Sequence, residues 1–90
     1  MTYLLMAWDK PGALETRLAN REAHLDYVKS TGKALYGGPF MDDAGQMAGS
    51  MLVLDITTAE EAQTWAANDP YAKAGLFEKV ELRPWKKVFG

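Results

Sequence analysis

Residues 48–56, AGSMLVLDI, form the stretch that decides the fold of this 90-residue chain. Apolar side chains follow one another there almost without a break, which is typical of a strand in the interior of a sheet. Upstream, residues 41–47 contain two aspartates and a glycine and predict the connecting loop of a hairpin. Residues 33–40, KALYGGPF, predict the other strand of that hairpin, and its two glycines and one proline indicate that it is bulged or ends early.

Two helices are predicted after this central strand. Thr58, with Glu61 three residues later, matches the capping-box pattern for a helix start, and apolar residues at helical spacing continue toward Asn68. Asp69, followed by a proline, then predicts a second and shorter helix, which Gly75 ends. An aspartate in that place is ordinary capping chemistry and by itself does not indicate catalysis.

The two ends of the chain supply the remaining elements. Residues 2–8, TYLLMAW, are rich in β-forming residues and stop at a DKPG turn, so they predict the first strand. Residues 13–31 contain no proline or glycine, and Gly32 is placed to end a helix there. The apolar stripe that predicts which side of this helix faces inward is Leu14, Leu18, Leu25 and Val28. Residues 76–83 predict the last strand, and Pro84 is expected to stop it.

The resulting order is β-α-β-β-α-(short α)-β, which predicts the α+β class and a ferredoxin-like arrangement. In that arrangement a four-stranded antiparallel sheet carries both helices on one face. Residues 1–90 are expected to form a single domain, because no linker, repeat or low-complexity segment divides the chain. A chain this small and apolar is not expected to leave the second face of the sheet in water, so we expect a homodimer in which a second sheet covers it.

Composition argues against several classes of function. A net charge of -2 argues against nucleic-acid binding, which needs clustered Lys and Arg. The chain has no cysteine, which excludes disulfides, thiolate metal sites and a cysteine nucleophile. We expect no metal and no cofactor, because there is one histidine and neither a metal motif, a phosphate loop nor a dinucleotide fingerprint. The apolar first strand has no basic region before it and is followed at once by Asp9 and Lys10, so we expect no signal peptide and no membrane span. The absence of cysteine fits a cytoplasmic protein, which is what we expect.

His24, the only histidine, is the first candidate functional residue. On a helical wheel it lies with Arg17 roughly 60–80° to one side of the leucine stripe, and Arg21 lies within the stripe. One interpretation is structural: His24 is a boundary residue, Arg21 extends from the rim, and Arg17 pairs with a surface carboxylate. The other is functional: the imidazole acts as a general acid or base near neutral pH, and nearby arginines hold an anionic substrate.

Four more residues are candidates for ligand binding. Gly38 and Pro39 could bring the backbone close to a ligand, although a turn or a bulge explains the same residues. Ser50 could donate a hydrogen bond, but a strand serine without an activating motif is usually structural. Trp8, at the end of the first strand, is expected to line the mouth of a cleft.

Several short motifs, taken in order, resemble the YciI-like (YCII-related) family: Arg21-Glu22-Ala23-His24-Leu25, Gly38-Pro39, Gly49-Ser50, Asp69-Pro70-Tyr71 with Ala74-Gly75, and Pro84-Trp85-Lys86-Lys87-Val88-Phe89. The resemblance spans nearly the whole chain. It implies a dimeric α+β barrel, similar in fold to muconolactone isomerases, with a cleft whose His and Asp match His24 and Asp69. One characterised branch of the family eliminates chloride from a chlorinated hydroxyhydroquinone with a His-Asp pair.

The resemblance implies proton transfer by His24 and Asp69 without a cofactor, in a lyase, isomerase or dehydrochlorinase-type step on a small hydroxylated or anionic cyclic compound. Asp69 would orient the imidazole and stabilise its charged form. One of the two arginines would bind the anion, and Ser50 and the Gly38 backbone would supply hydrogen bonds. The alternative hypothesis is a non-catalytic dimer that binds or senses a small ligand in the same cleft. Both hypotheses name a small-molecule partner and exclude nucleic acid and membrane.

Overall fold

The computed structural model describes residues 2–90 and confirms the predicted order of strands and helices. The elements are β1 Thr2–Asp9, α1 Leu14–Thr31, β2 Ala34–Met41, β3 Met47–Leu54, α2 Ala59–Asn68, α3 Pro70–Lys73 and β4 Phe77–Trp85. The strands form one sheet in the order β2-β3-β1-β4, and all neighbours are antiparallel. This is the ferredoxin-like α+β arrangement, and β3 has the interior position that its apolar sequence predicts.

The core lies on the helix side of the sheet. Tyr3, Leu5 and Ala7 of β1 are buried there, and Leu5 is opposite Leu52 of β3. Trp65 of α2 belongs to the same cluster, as the apolar stripe of that helix predicts. Because side chains alternate along a strand, the intervening residues of β1 lie on the other face of the sheet. Those residues are Leu4, Met6 and Trp8.

Prolines lie in both edge strands, where the sequence predicts breaks. In β2, Pro39 pairs with Ser50 and the strand continues beyond it, with shifts of register only near its two ends. The prediction that Pro84 stops β4 was wrong, because Pro84 pairs with Tyr3 and the strand ends at Trp85. An edge strand has one side without a neighbouring strand, so a residue that lacks an N–H is tolerated there.

Helix α1 faces the sheet with a different side from the predicted one. Leu18 is 52% and Leu25 40% exposed, whereas Arg17, at 3%, and His24, at 7%, are buried. The physical reason is that each of these inward polar side chains bonds to a buried carboxylate, which offsets the cost of taking it out of water. Neither partner lies on α1 itself, so the pattern of the helix alone does not reveal them.

Local capping fixes where the two later helices begin. The Thr58 hydroxyl accepts a hydrogen bond from the Glu61 N–H at 3.2 Å, and the Asp69 carboxylate accepts one from the Tyr71 N–H at 3.0 Å. Both predicted helix starts are therefore confirmed, and the second places Asp69 beside α1. Within residues 2–90, every helix is too short or too polar to span a bilayer.

Candidate functional site

A cavity of about 410 Å³ lies between α1, α3 and the part of the sheet formed by β2 and β3. The residues with polar side chains in its wall are Arg17, Arg21, His24, Tyr36, Ser50 and Tyr71. Apolar side chains and the β2 backbone make up the rest. In the part of the chain that the structure describes, residues 2–90, no aspartate or glutamate lines the cavity. A ligand therefore meets cations and hydroxyl and imidazole groups on an otherwise apolar surface.

His24 lies in this wall and bonds to Asp69 behind it, although the two are 45 residues apart in the sequence. Nδ1 of His24 lies 2.8 Å from Oδ1 of Asp69, and the same oxygen accepts the Tyr71 N–H. Because a carboxylate accepts hydrogen bonds, Nδ1 carries the proton and Nε2 is left to exchange one with a ligand. No buried side-chain nitrogen or oxygen in residues 2–90 lacks a partner, so Nε2, which makes no hydrogen bond within the chain, retains some exposed surface, and His24 lines the cavity. Among the same residues, no further His, Asp or Glu joins the pair to make a metal site.

Arg17 is held by a second carboxylate, which is buried rather than on the surface. Its Nε donates to Oδ2 of Asp9 at 2.7 Å and its Nη2 donates to Oδ1 at 2.9 Å, and the Asp9 side chain is only 5% exposed. Burial acts to lower the pKa of Arg17, but the hydrogen bonds and charge of Asp9 outweigh it and raise the pKa above its ordinary value. Arg17 is therefore permanently charged, and Asp9 already neutralises that charge.

Ser50 receives a hydrogen bond from the Arg17 guanidinium. Nη2 of Arg17 lies 2.8 Å from Oγ of Ser50, and Ser50 is part of the cavity wall. Because a guanidinium can only donate, the proton of the Ser50 hydroxyl is left for another acceptor. A ligand oxygen in the cavity can be that acceptor.

Arg21 is the arginine whose charge is available to a ligand. It is exposed and lines the cavity, and no carboxylate among residues 2–90 lies within ion-pair distance of it. The sequence treats Arg17 and Arg21 as equivalent candidates for binding an anion. In the structure the two arginines differ: Arg17 is buried and bonded to Asp9 and Ser50, whereas Arg21 is exposed to solvent and lines the cavity.

Tyr71 is a further residue of this site, and the sequence pattern does not predict it. Its ring stacks on the His24 imidazole, with centroids 4.1 Å apart and planes inclined by 14°. The guanidinium carbon of Arg17 lies 4.7 Å from the centroid of the same ring. Burial raises the pKa of the Tyr71 phenol against the opposing charges of Arg17 and Arg21, so the hydroxyl stays protonated at neutral pH. The available signal was its place directly after Asp69-Pro70 in a motif that carried the resemblance.

The structure brings two of the three remaining candidates to the cavity. Gly38 and Pro39 form part of the wall on β2. Trp8 does not line the cavity: it stacks on Phe40 with centroids 5.8 Å apart, and the Lys79 ammonium lies 5.4 Å from its ring. The preceding residue of β1 is buried on the helix side, so the alternation of the strand directs the Trp8 side chain to the opposite face.

The sequence of this chain is similar to a known domain family and to proteins of other bacteria. The sequence model of the YCII-related domain matches residues 1–86. Protein YciI of Escherichia coli O6:H1 is 39% identical over 98 aligned positions, which cover 99% of this chain and 100% of that protein. An uncharacterized protein of Haemophilus influenzae is 38% identical with the same coverage.

A solved protein structure also resembles this chain in its fold. The chain is similar to 5-chloro-2-hydroxyhydroquinone dehydrochlorinase of Burkholderia phenoliruptrix AC1100, whose structure contains 2,5-dihydroxybenzoquinone. The two are 34% identical and superpose with a TM-score of 0.88, over 98% of this chain and 96% of the other. With a family match over nearly its whole length and relatives above one-third identity, this chain belongs to the YCII-related domain family.

Proposed function

We propose that the chain is an enzyme that transfers protons with His24 and Asp69 and needs no cofactor. The observation that carries the proposal is the 2.8 Å contact between Oδ1 of Asp69 and Nδ1 of His24, whose imidazole lines the cavity. An imidazole changes its charge near neutral pH, and a carboxylate at Nδ1 selects the tautomer and stabilises the imidazolium. The similar Burkholderia protein is a dehydrochlorinase, which supports a lyase, isomerase or dehydrochlorinase-type reaction here.

Each polar group has a separate role in this proposal. Nε2 of His24 takes a proton from a carbon or oxygen atom of the substrate and later returns it to the product or releases it to water. The Ser50 hydroxyl and the Arg21 guanidinium stabilise the negative charge that develops on a substrate oxygen. Asp69 stays behind the imidazole and stabilises its protonated form, while Arg17 holds the Ser50 oxygen in place.

The proposed substrate is a small hydroxylated or anionic ring compound. A cavity of about 410 Å³ is in the range of pockets that hold small molecules. Its wall supplies an available cation and hydroxyl groups without a competing carboxylate among the described residues, which suits an oxygen-rich anion. Apolar side chains of the wall, such as Val28 and Leu52, are suited to the faces of a ring. The dihydroxybenzoquinone in the Burkholderia structure is a compound of this kind.

Non-catalytic binding or sensing of the same ligands is the second candidate function. The observation that favours it is the open mouth of the cavity, where Leu25 and Leu35 are 40% and 56% exposed. Chemistry on charged intermediates is favoured by exclusion of water, whereas binding does not require a closed site. In this case His24 would serve only as a contact, and its loss would not remove an activity.

We also propose that the chain forms a homodimer through the face of the sheet that carries no helices. Support comes from the half-buried apolar residues Leu4, Met6 and Met51 on that face. A second copy that places its own face there would bury them on both sides.

The substitution His24→Asn tests proton transfer against binding. A thermal-shift screen of small hydroxylated aromatics and lactones identifies ligands, and turnover of each hit is then measured. We expect His24→Asn to bind the hits nearly as well as the unchanged protein and to turn them over about 100-fold more slowly or worse. Asp69→Asn, which keeps the shape of the side chain and removes its charge, should also lower turnover.

Turnover that survives His24→Asn would contradict the proposal. Hits that bind to the unchanged protein and are never converted would favour the binding module instead.

A further inference from the structure

We infer that Tyr71 is a positioning residue of this site: its ring fixes the plane of the His24 imidazole and so directs Nε2 into the cavity. The residue contacts both members of the pair, because its N–H donates to Oδ1 of Asp69 at 3.0 Å while its ring stacks on His24. The kinetic test of this inference rests on the proposed function. Its structural test does not need turnover.

One hydrogen bond does not fix the orientation of the imidazole. The contact between Nδ1 and Asp69 restrains one ring nitrogen, but a carboxylate oxygen accepts over a broad range of directions. The plane can therefore tilt while the bond is kept, and Nε2, on the far side of the ring, moves with it. A flat ring 4.1 Å away and inclined by 14° opposes that tilt, because tilting drives imidazole atoms into the phenol face or opens a void between the rings.

Tyr71 can guide His24 because Tyr71 is itself fixed. Its side chain is among the largest fully buried ones, and Phe77 approaches it edge-on with centroids 6.0 Å apart. The backbone beneath it is the first turn of α3, where Pro70 restricts φ and the Asp69 carboxylate caps the helix. The phenol ring is therefore the rigid member of the stack, and the imidazole is the member that it orients.

The ring face, rather than the hydroxyl, makes this contact. Asp69 receives the backbone N–H of Tyr71, and the imidazole receives the flat side of the ring. Tyr71→Phe keeps both contacts. Tyr71→Leu keeps the backbone bond and replaces the flat face with a branched, flexible side chain. The two substitutions therefore separate stacking from any chemistry of the hydroxyl.

Nuclear magnetic resonance can observe the stack directly, because His24 is the only histidine and gives a single set of imidazole signals. In the unchanged protein we expect upfield ring-current shifts of the imidazole protons and NOEs between the two rings. Both should persist in Tyr71→Phe and disappear in Tyr71→Leu. Tyr27→Leu is the matched control: it removes an α1 ring that packs on Trp65 outside the cavity, and the NOEs between the His24 and Tyr71 rings should persist.

Kinetics provide the second readout once a substrate is known. We expect Tyr71→Phe to retain kcat within about threefold and Tyr71→Leu to lower it by about 10-fold or more, with a smaller change in KM. The reason is that a tilted Nε2 misplaces the reacting group while the groups that bind the anion remain. Rescue by phenylalanine distinguishes this role from that of a hydroxyl that bonds to the substrate.

Absence of ring-current shifts and of inter-ring NOEs in the unchanged protein overturns the inference, even if Tyr71→Leu fails to fold. A folded Tyr71→Leu variant with unchanged kcat also overturns it. If the stack is observed and no compound is turned over by any form of the protein, the proposed enzyme function fails while the positioning of His24 by Tyr71 is upheld.

Discussion

Two buried carboxylates, Asp9 and Asp69, lie behind the cavity wall and not in it. Each bonds to one side chain of α1, Asp9 to Arg17 and Asp69 to His24. The negative charges that balance the cavity are therefore out of reach of a ligand, and the cationic and polar groups are within reach. The same arrangement makes each partner hard to replace, because loss of a carboxylate leaves a buried group without its counter-charge.

Asp9→Asn should lower the free energy of unfolding by about 3–5 kcal/mol, measured by urea denaturation. Asparagine has the same size, but it leaves the charge of the buried Arg17 without compensation. Asp26→Asn is the control, because Asp26 is exposed on α1 and forms no ion pair among residues 2–90. It should cost less than about 1 kcal/mol. Equal costs for the two substitutions would contradict the special role of the buried pair.

Arg21→Gln should weaken the binding of an anionic ligand from the screen by about 10-fold and reduce the dependence of binding on salt. The reason is that Arg21 is the cavity cation without a carboxylate partner among the described residues. Lys29→Gln makes the same change of charge in the last turn of α1, outside the cavity, and should leave affinity unchanged. Calorimetric titration at two salt concentrations measures both effects. A similar loss in both variants would show that only the net charge matters.

At the scale of single residues, the sequence predicts which residues belong to the candidate site better than it predicts the contacts between them. His24 is conspicuous as the only histidine, and the resemblance pairs it with Asp69. The burial of Arg17 could not be predicted, because nothing in the pattern of α1 indicates that Asp9 at the end of β1 will reach it. The stacking of Tyr71 on His24 could not be predicted for the same reason, since the two residues lie on different helices.

Among the elements, β2 is the one whose irregular sequence shapes the cavity. It is an edge strand, and because Gly37 and Gly38 have no side chains, its backbone forms part of the cavity wall there. A Cβ on Gly37 would collide with the Leu52 side chain and with the carbonyl oxygen of Met51. A Cβ on Gly38 would meet nothing within 4 Å. The first glycine therefore allows β2 to approach β3, and the second does not serve that purpose.

Gly37→Ala should lower the free energy of unfolding by about 1–3 kcal/mol, because the backbone of Met51 cannot yield without disturbing the pairing of β2 with β3. Gly38→Ala, one residue away in the same strand, should stay within about 0.5 kcal/mol. Neither glycine has a positive φ, so the comparison isolates the contact. Urea denaturation of both variants is the measurement, and an equal effect would remove the steric explanation.

Element boundaries can be predicted where the deciding interaction is local. Thr58 and Asp69 cap their own helices, and Gly32 ends α1 with a φ of 62°. Whether Pro84 ends a strand depends on the place of β4 at the edge of the sheet, and the residues around Pro84 do not specify that place. The inward side of α1 likewise depends on carboxylates from β1 and α3.

At the scale of the whole molecule, helices pack on one face of the sheet, and no helix among residues 2–90 covers the other face. On the second face Met6 lies opposite Met51, and both are half-buried. Within the four strands that the structure describes, the charged residues on this face all lie on β4, and they are Lys79, Glu81 and Arg83. The topology follows from the order of elements and short connections, so the sequence predicts it well. What covers the helix-free face depends on a partner. The apolar residues of that face are the one sign of such a partner in the sequence.

Met6→Glu tests the proposed dimer at the centre of that face. We expect the unchanged protein to elute with twice the 10.0 kDa mass of the chain in size-exclusion chromatography with light scattering. Met6→Glu should shift the mass toward the monomer, because a dimer would bury the new carboxylate twice and a monomer leaves it in water. Leu18→Glu places the same charge on an exposed residue of α1 and should remain dimeric. If Leu18→Glu becomes monomeric and Met6→Glu does not, the interface lies on the helix side and the sheet-to-sheet proposal is wrong.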